Sequence, residues 1–136
     1  MELQARKRIL LVDDEKDFLE ATGAYLRSLG YDVVTAASGE GALNVVSESR
    51  PDLILLDIIL PKMKGVEVCM RLKSDPVTEN IPIIFMTAIT SGNHTEVLLK
   101  MGAEDYLVKP CSAEELEDKI KISLIRHDAF LSKKAA

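Results

Sequence analysis

Short apolar runs alternate with segments of helical spacing along the whole chain. Ile9-Leu10-Leu11-Val12, Val33-Val34-Thr35, Leu53-Ile54-Leu55-Leu56, Ile83-Ile84-Phe85-Met86 and Tyr106-Leu107-Val108 are brief and show no polar alternation. Such runs suit parallel strands that are covered on both faces. Between the first two, Phe18, Leu19, Thr22, Leu26 and Leu29 recur at helical spacing and predict a helix over Asp17 to Leu29. Gly30 suits the left-handed residue that stops it. Ser38 can cap a second helix with Ala42, Val45 and Val46 inward, and Pro51 marks the break before the third run. Gly65 to Lys73 reads as a third helix. The polar stretch Ser91-Gly92-Asn93-His94 precedes a fourth, with Val97, Leu98 and Met101, which Gly102 can end. Ser112 followed by Glu115 fits a capping box that opens a fifth helix. Its Leu116, Ile120, Leu124, His127 and Leu131 lie along one side, expected to face the core, while Ile122, Ile125 and Ala129 form a separate exposed arc. Ser132 to Ala136 reads as a frayed end.

Strand and helix in strict alternation predict an α/β domain built on a parallel sheet. Each of four runs leads directly into a polar group: Asp13 and Asp14 after the first, Asp57 after the third, Thr87 after the fourth and Lys109 after the fifth. In a parallel sheet these groups emerge at one carboxyl edge, where open α/β sheets place their ligand sites. Three carboxylates, a hydroxyl and an ammonium then share one crevice. Taken singly, Asp13-Asp14 could equally cap the following helix, and Lys109 could be a surface lysine. The pattern gains its force from four strand ends meeting the requirement together.

Bulk composition narrows the classes. A chain of 136 residues, 47% hydrophobic, is the size of one domain with a continuous core. Its net charge of -5 argues against direct nucleic-acid binding, which needs clustered Lys and Arg to replace counterions on phosphates. No apolar stretch approaches the roughly 20 residues needed to cross a bilayer, and the first ten residues lack a signal sequence's apolar core, so a cytoplasmic location is expected. Cys69 and Cys111 are too few for a disulfide framework and lack neighbouring zinc ligands.

The motifs Leu11-Val12-Asp13-Asp14-Glu15, Asp57-Ile58-Ile59-Leu60-Pro61 with Gly65 following, Thr87-Ala88, and Tyr106-Leu107-Val108-Lys109-Pro110 resemble the receiver domains of two-component response regulators, the CheY-like superfamily. The resemblance spans residues 7–128, leaving 129–136 as the end of the last helix and a C-terminal tail. It implies a doubly wound, flavodoxin-like sheet of five strands and five helices in the order 2-1-3-4-5, an order known for the family. It implies that Asp57 accepts a phosphoryl group from a phosphohistidine on a sensor histidine kinase or phosphotransfer protein. Mg²⁺ would be bound by Asp14, Asp57 and the backbone carbonyl of Ile59, with Asp13 acting directly or through water. Lys109 would pair with a phosphoryl oxygen, and the Thr87 hydroxyl and Ala88 backbone N–H would bond others. The Lys109-Pro110 bond would be cis. Thr87 and Tyr106 would carry the signal to a surface of fourth helix, fifth strand and fifth helix.

The residue types fit that chemistry physically. A carboxylate that attacks a phosphoryl group approaches a cluster of negative oxygens, and cations must offset the repulsion. The chain is expected to be a phosphoacceptor with self-catalysed phosphorylation and slow autodephosphorylation, not a turnover enzyme. Ile59 and Ile89 flank the path of hydrolytic water and offer it no hydrogen bond. His94 and His127 lack the helical-bundle context of a phosphoryl carrier. Other readings stay open at this point: a degenerate receiver that only binds, a homodimer through the output surface, a Mg²⁺-dependent phosphatase-like hydrolase, and a flavodoxin-like carrier. The hydrolase would place a spaced Asp-x-Asp after the first strand, and the carrier a hydroxyl- or glycine-rich turn there. The downstream target could be a separate protein or an output domain missing from the chain.

Overall fold

The computed structural model describes residues 6–88 and 94–135. In chain order the elements are β1 (Arg8–Val12), α1 (Lys16–Ser28), β2 (Asp32–Ala36), α2 (Gly39–Glu48), β3 (Leu53–Asp57), α3 (Gly65–Lys73), β4 (Ile83–Thr87), α4 (His94–Lys100), β5 (Asp105–Val108) and α5 (Ala113–Ala135). All strand pairings are parallel and the sheet order is β2-β1-β3-β4-β5. The expected three-layer α/β architecture and its strand order are present.

Two apolar clusters explain why the strands lack polar alternation. On one face Leu10, Val12, Ile54, Leu56, Ile83 and Phe85 pack with Ala42 and Val46 of α2, Val68 and Leu72 of α3 and Leu98 of α4. On the other, Ile9, Leu11, Leu53, Leu55, Ile84 and Met86 meet Leu19 and Leu26 of α1 and Leu116, Ile120 and Leu124 of α5. Every apolar residue of β3 is fully buried. At about 1.5–3 kcal/mol for each such side chain, a polar residue on either face would forfeit more than strand pairing returns.

Local signals set the element ends. Gly30 and Gly102 take positive φ after α1 and α4. The Ser38 hydroxyl accepts the Gly41 N–H at 3.0 Å, and the Ser112 hydroxyl accepts the Glu115 N–H at 3.0 Å. Leu29, the last apolar position of the predicted first helix, is its exposed C-cap.

The fifth helix corrects one expectation. Its buried stripe runs through Leu116, Ile120 and Leu124, His127 is half-buried, and Leu131 is 44% exposed instead of facing the core. The reason is length. A 23-residue helix spans about 34 Å, whereas a five-residue strand covers about 17 Å. The Lys7–Asp128 ion pair at the start of β1 marks where α5 passes the sheet's amino edge. Residues 129–135 continue as helix beyond that edge, so 132–135 are not a frayed coil. Ile122 and Ile125 are exposed as expected, and so is Ala129. Among the described residues no helix is long and apolar enough to cross a membrane.

Candidate phosphoacceptor site

The sheet register carries the polar groups to one edge. Asp57 and Thr87 are the last residues of β3 and β4, Asp13 and Asp14 follow β1, and Lys109 follows β5. The ladder continues past the strands. Asp13 N–H donates to the Ala36 carbonyl at 3.1 Å, Ile58 N–H to that of Met86 at 3.2 Å and Lys109 N–H to that of Thr87 at 2.7 Å. Backbone pairing therefore fixes how far each side chain stands beyond the sheet. The Lys109-Pro110 peptide bond is cis.

Asp13, Asp14 and Asp57 each offer a carboxylate oxygen, and these oxygens lie within 4.8 Å of one another. Asp13 is fully buried, Asp57 is 8% exposed and Asp14 is open to solvent. The Lys109 ammonium bonds to Asp13 Oδ2 and stands 3.5 Å from Asp57 Oδ2. Backbone donors orient the other oxygens: Glu15 N–H reaches Asp13 Oδ1 at 2.9 Å, and Ile59 N–H reaches Asp57 Oδ1 at 3.3 Å. Each of the two acids thus divides its oxygens between main chain and lysine.

The charges are unbalanced. Burial pushes the Asp57 carboxyl above its ordinary range; Lys109 pulls it down, while the neighbouring Asp13 pushes it further up. For Lys109, burial works against the charged form, but the hydrogen bond to Asp13 and the charges of Asp57 and Asp13 outweigh it, and the ammonium is held above its usual value. Three carboxylates still face one ammonium. An all-oxygen cluster with two uncompensated negative charges, open to solvent at Asp14, fits a hard divalent cation that retains several waters.

Thr87 is 2% exposed and Ala88 beyond it is exposed. Thr87 pairs in register with Val108, and Phe85 with Tyr106. Alternation along a strand puts Thr87 and Tyr106 on the same face of the sheet. Tyr106 is half-buried against the cluster that contains Phe85. Ile59 is 53% exposed beside the acidic crevice. Ile89 lies outside the described residues. His94 begins α4. His127 sits toward the amino edge, near Arg50, Asp52 and Lys7, away from the carboxylates.

Two further residues border the site without a signal in the strand-end pattern. A Cβ on Gly65 would lie 2.1 Å from the Asp57 carbonyl oxygen, and the Gly65 N–H donates to the Ile58 carbonyl at 2.9 Å. Gly65 therefore lets the start of α3 press against the backbone of Asp57; its place after the Asp57-to-Pro61 motif was the available signal. Phe18, one of the helically spaced residues of the first helix, is half-buried and lies beneath the Lys109 ammonium, 4.3 Å from ring centroid to nitrogen. Helical spacing gives a face and not a ring's neighbour.

The sequence matches the response regulator receiver domain family over residues 9–121. It is 40% identical over 123 residues to the DNA-binding response regulator MtrA of Mycolicibacterium paratuberculosis, covering 90% of this chain and 53% of that protein. It is 39% identical over 126 residues to the probable transcriptional regulator ycf27 of Guillardia theta, covering 93% of this chain and 48% of that protein. The chain spans about half the length of these curated relatives. Among solved structures, the response regulator receiver domain protein (CheY-like) from Methanospirillum hungatei JF-1 aligns with a TM-score of 0.86 at 31% identity, over 92% of this chain and 98% of that one.

Proposed function

The chain belongs to the response regulator receiver domain family of two-component systems, and from that membership we propose that Asp57 is its phosphoacceptor. The observation that carries the reading is the convergence of Asp13, Asp14 and Asp57 within 4.8 Å, with the Lys109 ammonium 3.5 Å from Asp57. An Asp57 carboxylate oxygen attacks phosphorus, forming the O–P bond as the N–P bond of a donor phosphohistidine breaks and the imidazole leaves. The donor is a sensor histidine kinase or a histidine phosphotransfer protein.

Asp13, Asp14, Asp57 and the Ile59 carbonyl would hold Mg²⁺. When bound, it supplies the positive charge that offsets repulsion between the carboxylates and the phosphoryl oxygens. Lys109 stays at the same edge and pairs with a phosphoryl oxygen, while the Thr87 hydroxyl and Ala88 N–H donate to others. Drawing Thr87 toward the phosphoryl group frees space on its face of the sheet, and the Tyr106 ring follows. Phosphorylation thereby favours one of two arrangements of the α4, β5 and α5 surface.

That surface is the output, acting on a downstream protein, on an output domain or on a second copy of the chain in a homodimer. Two relatives spanning about twice this length are a DNA-binding response regulator and a probable transcriptional regulator, so any DNA contact belongs to an output region and not to this domain. Such a receiver works in the cytoplasm beside its kinase. Once formed, the acyl phosphate decays slowly, because Ile59 and Ile89 hinder water without orienting it. Ile59→Asn or a polar residue in place of Ile89 should speed phosphate loss; unchanged decay in both variants would sink that proposal.

Incubation with Mg²⁺ and a small phosphodonor, followed by intact mass measurement, tests the acceptor reading. One added phosphoryl group is expected in wild type and none in Asp57→Asn. Absence of both adduct and Mg²⁺ binding in wild type would favour a receiver that acts without phosphorylation.

A further inference from the structure

The residue beneath Lys109 adds a component that neither the motif nor the charge cluster contains. Phe18 stands on the first turn of α1, and its ring centroid is 4.3 Å from the Lys109 nitrogen. The same ammonium bonds Asp13 and lies 3.5 Å from Asp57 Oδ2. Only 16% of the lysine side chain meets solvent. Phe18 and Lys109 also line one wall of an apolar groove of about 550 Å³ between α1 and the start of α5. The ring thus adds an apolar neighbour to an ammonium already in contact with two carboxylates.

We propose that Phe18 is a positioning residue for phosphoryl transfer, its ring face holding the Lys109 ammonium by a cation–π contact at the edge of the acidic crevice. This rests on the acceptor role of Asp57. Lysine reaches the site on a stem of four rotatable bonds, so without fixed neighbours its ammonium samples many positions. Asp13 and the Phe18 ring are two anchors that phosphoryl transfer leaves unchanged, whereas Asp57 itself is consumed as a free carboxylate. The negative face of the ring also takes the place of water on that side and raises the strength of the ammonium's remaining contacts. A group that need not be reorganised during the reaction lowers its barrier.

The test replaces Phe18 with phenylalanines carrying one, two and three ring fluorines, which weaken the ring's negative face while keeping its shape. Initial phosphorylation rates with Mg²⁺ and a small phosphodonor should fall in graded order, by roughly two- to tenfold across the series. Melting temperatures should stay together, which a packing role alone would also give, but packing would not grade the rates. Phe18→Leu should fall at or below the end of the series. Equal rates across the series, or losses matched by loss of folded protein, overturn the proposal. NMR of the Lys109 ε-methylene separates this from the acceptor reading. Its protons should be shifted upfield by the ring and return to ordinary positions in Phe18→Leu; ordinary positions in wild type overturn the proposal whatever the rates. An upfield shift in a wild type that takes no phosphoryl group overturns the acceptor reading, and the positioning role with it.

Discussion

Gly65→Ala tests whether Asp57, the proposed acceptor, is held by its backbone as much as by its charge partners. The added methyl would lie 2.1 Å from the Asp57 carbonyl oxygen and 3.0 Å from the Asp57 carbonyl carbon and Ile58 Cα, where real contacts are essentially never below 3.0 Å. Backbone has no alternative rotamer, so α3 and the Asp57-Ile58 backbone must separate by about 0.9 Å. The Gly65 N–H to Ile58 carbonyl bond, 2.9 Å long, would then stretch beyond useful range. Losing it costs about 1 kcal/mol, and overpacking adds about 1–3 kcal/mol. Better helix propensity of alanine returns up to about 1 kcal/mol. A net loss of about 1–4 kcal/mol lowers the melting temperature of a chain this size by about 4–14 °C. Displacement of Asp57 on this scale should also slow phosphorylation, by about 100-fold at most.

Gly23→Ala supplies the contrast. Its Cβ would meet an Arg27 side-chain nitrogen at 3.4 Å and a Thr35 methyl at 3.9 Å, which are ordinary contacts, inside a helix. It should gain about 0.5–1 kcal/mol and melt higher. Thermal unfolding by circular dichroism ranks the two variants, and labelling with a small phosphodonor well below both transitions reads the site. A Gly65→Ala protein that melts with wild type and labels at the wild-type rate would refute the steric reasoning.

The Ser123 hydroxyl is buried on α5 without a hydrogen-bond partner among the described residues, so Ser123→Ala should hold or raise stability by up to about 1 kcal/mol in denaturant titration; a clear loss would contradict its burial. Burial and the nearby Arg50 hold the His127 imidazole below its ordinary value of 6.5, despite the opposing pull of Asp128 and Asp52. As pH falls through 6.5 the unfolded chain binds a proton that the folded chain resists, so stability drops toward acid. His127→Gln should flatten that part of the wild-type pH–stability curve, and an identical slope would show that other groups set it. Ile122 and Ile125 are 49% and 69% exposed, so changing both to Glu should move monomer stability by less than about 1 kcal/mol. If the α5 face joins two copies, sedimentation should show phosphorylated wild type as a dimer and the double variant as a monomer; a dimer that persists would place the interface elsewhere.

The strand runs, the α3 boundaries and both serine caps were readable because each depends on neighbours within a few positions. The placement of Asp13, Asp57, Thr87 and Lys109 at one edge followed from a rule of parallel sheets, since every functional group is anchored one step from a ladder bond. Leu131 was misread for a different reason. Helical spacing says which side a residue is on, but not whether the sheet still extends beneath it, and α5 overshoots the strands. Gly65 and Phe18 depend on close tertiary approach between segments brought together by the fold. Periodicity carries no record of a 2.1 Å clash avoided or a ring placed under an ammonium.

The acceptor claim is tested most directly by locating the phosphoryl group. After labelling with Mg²⁺ and a small phosphodonor, borohydride reduces an aspartyl phosphate to homoserine, and peptide mass mapping finds the converted residue. Homoserine at position 57, and nowhere in Asp57→Asn, is the predicted result. Conversion at Asp13 or Asp14, or a stable phosphate elsewhere on a chain with Asp57 intact, would contradict the account.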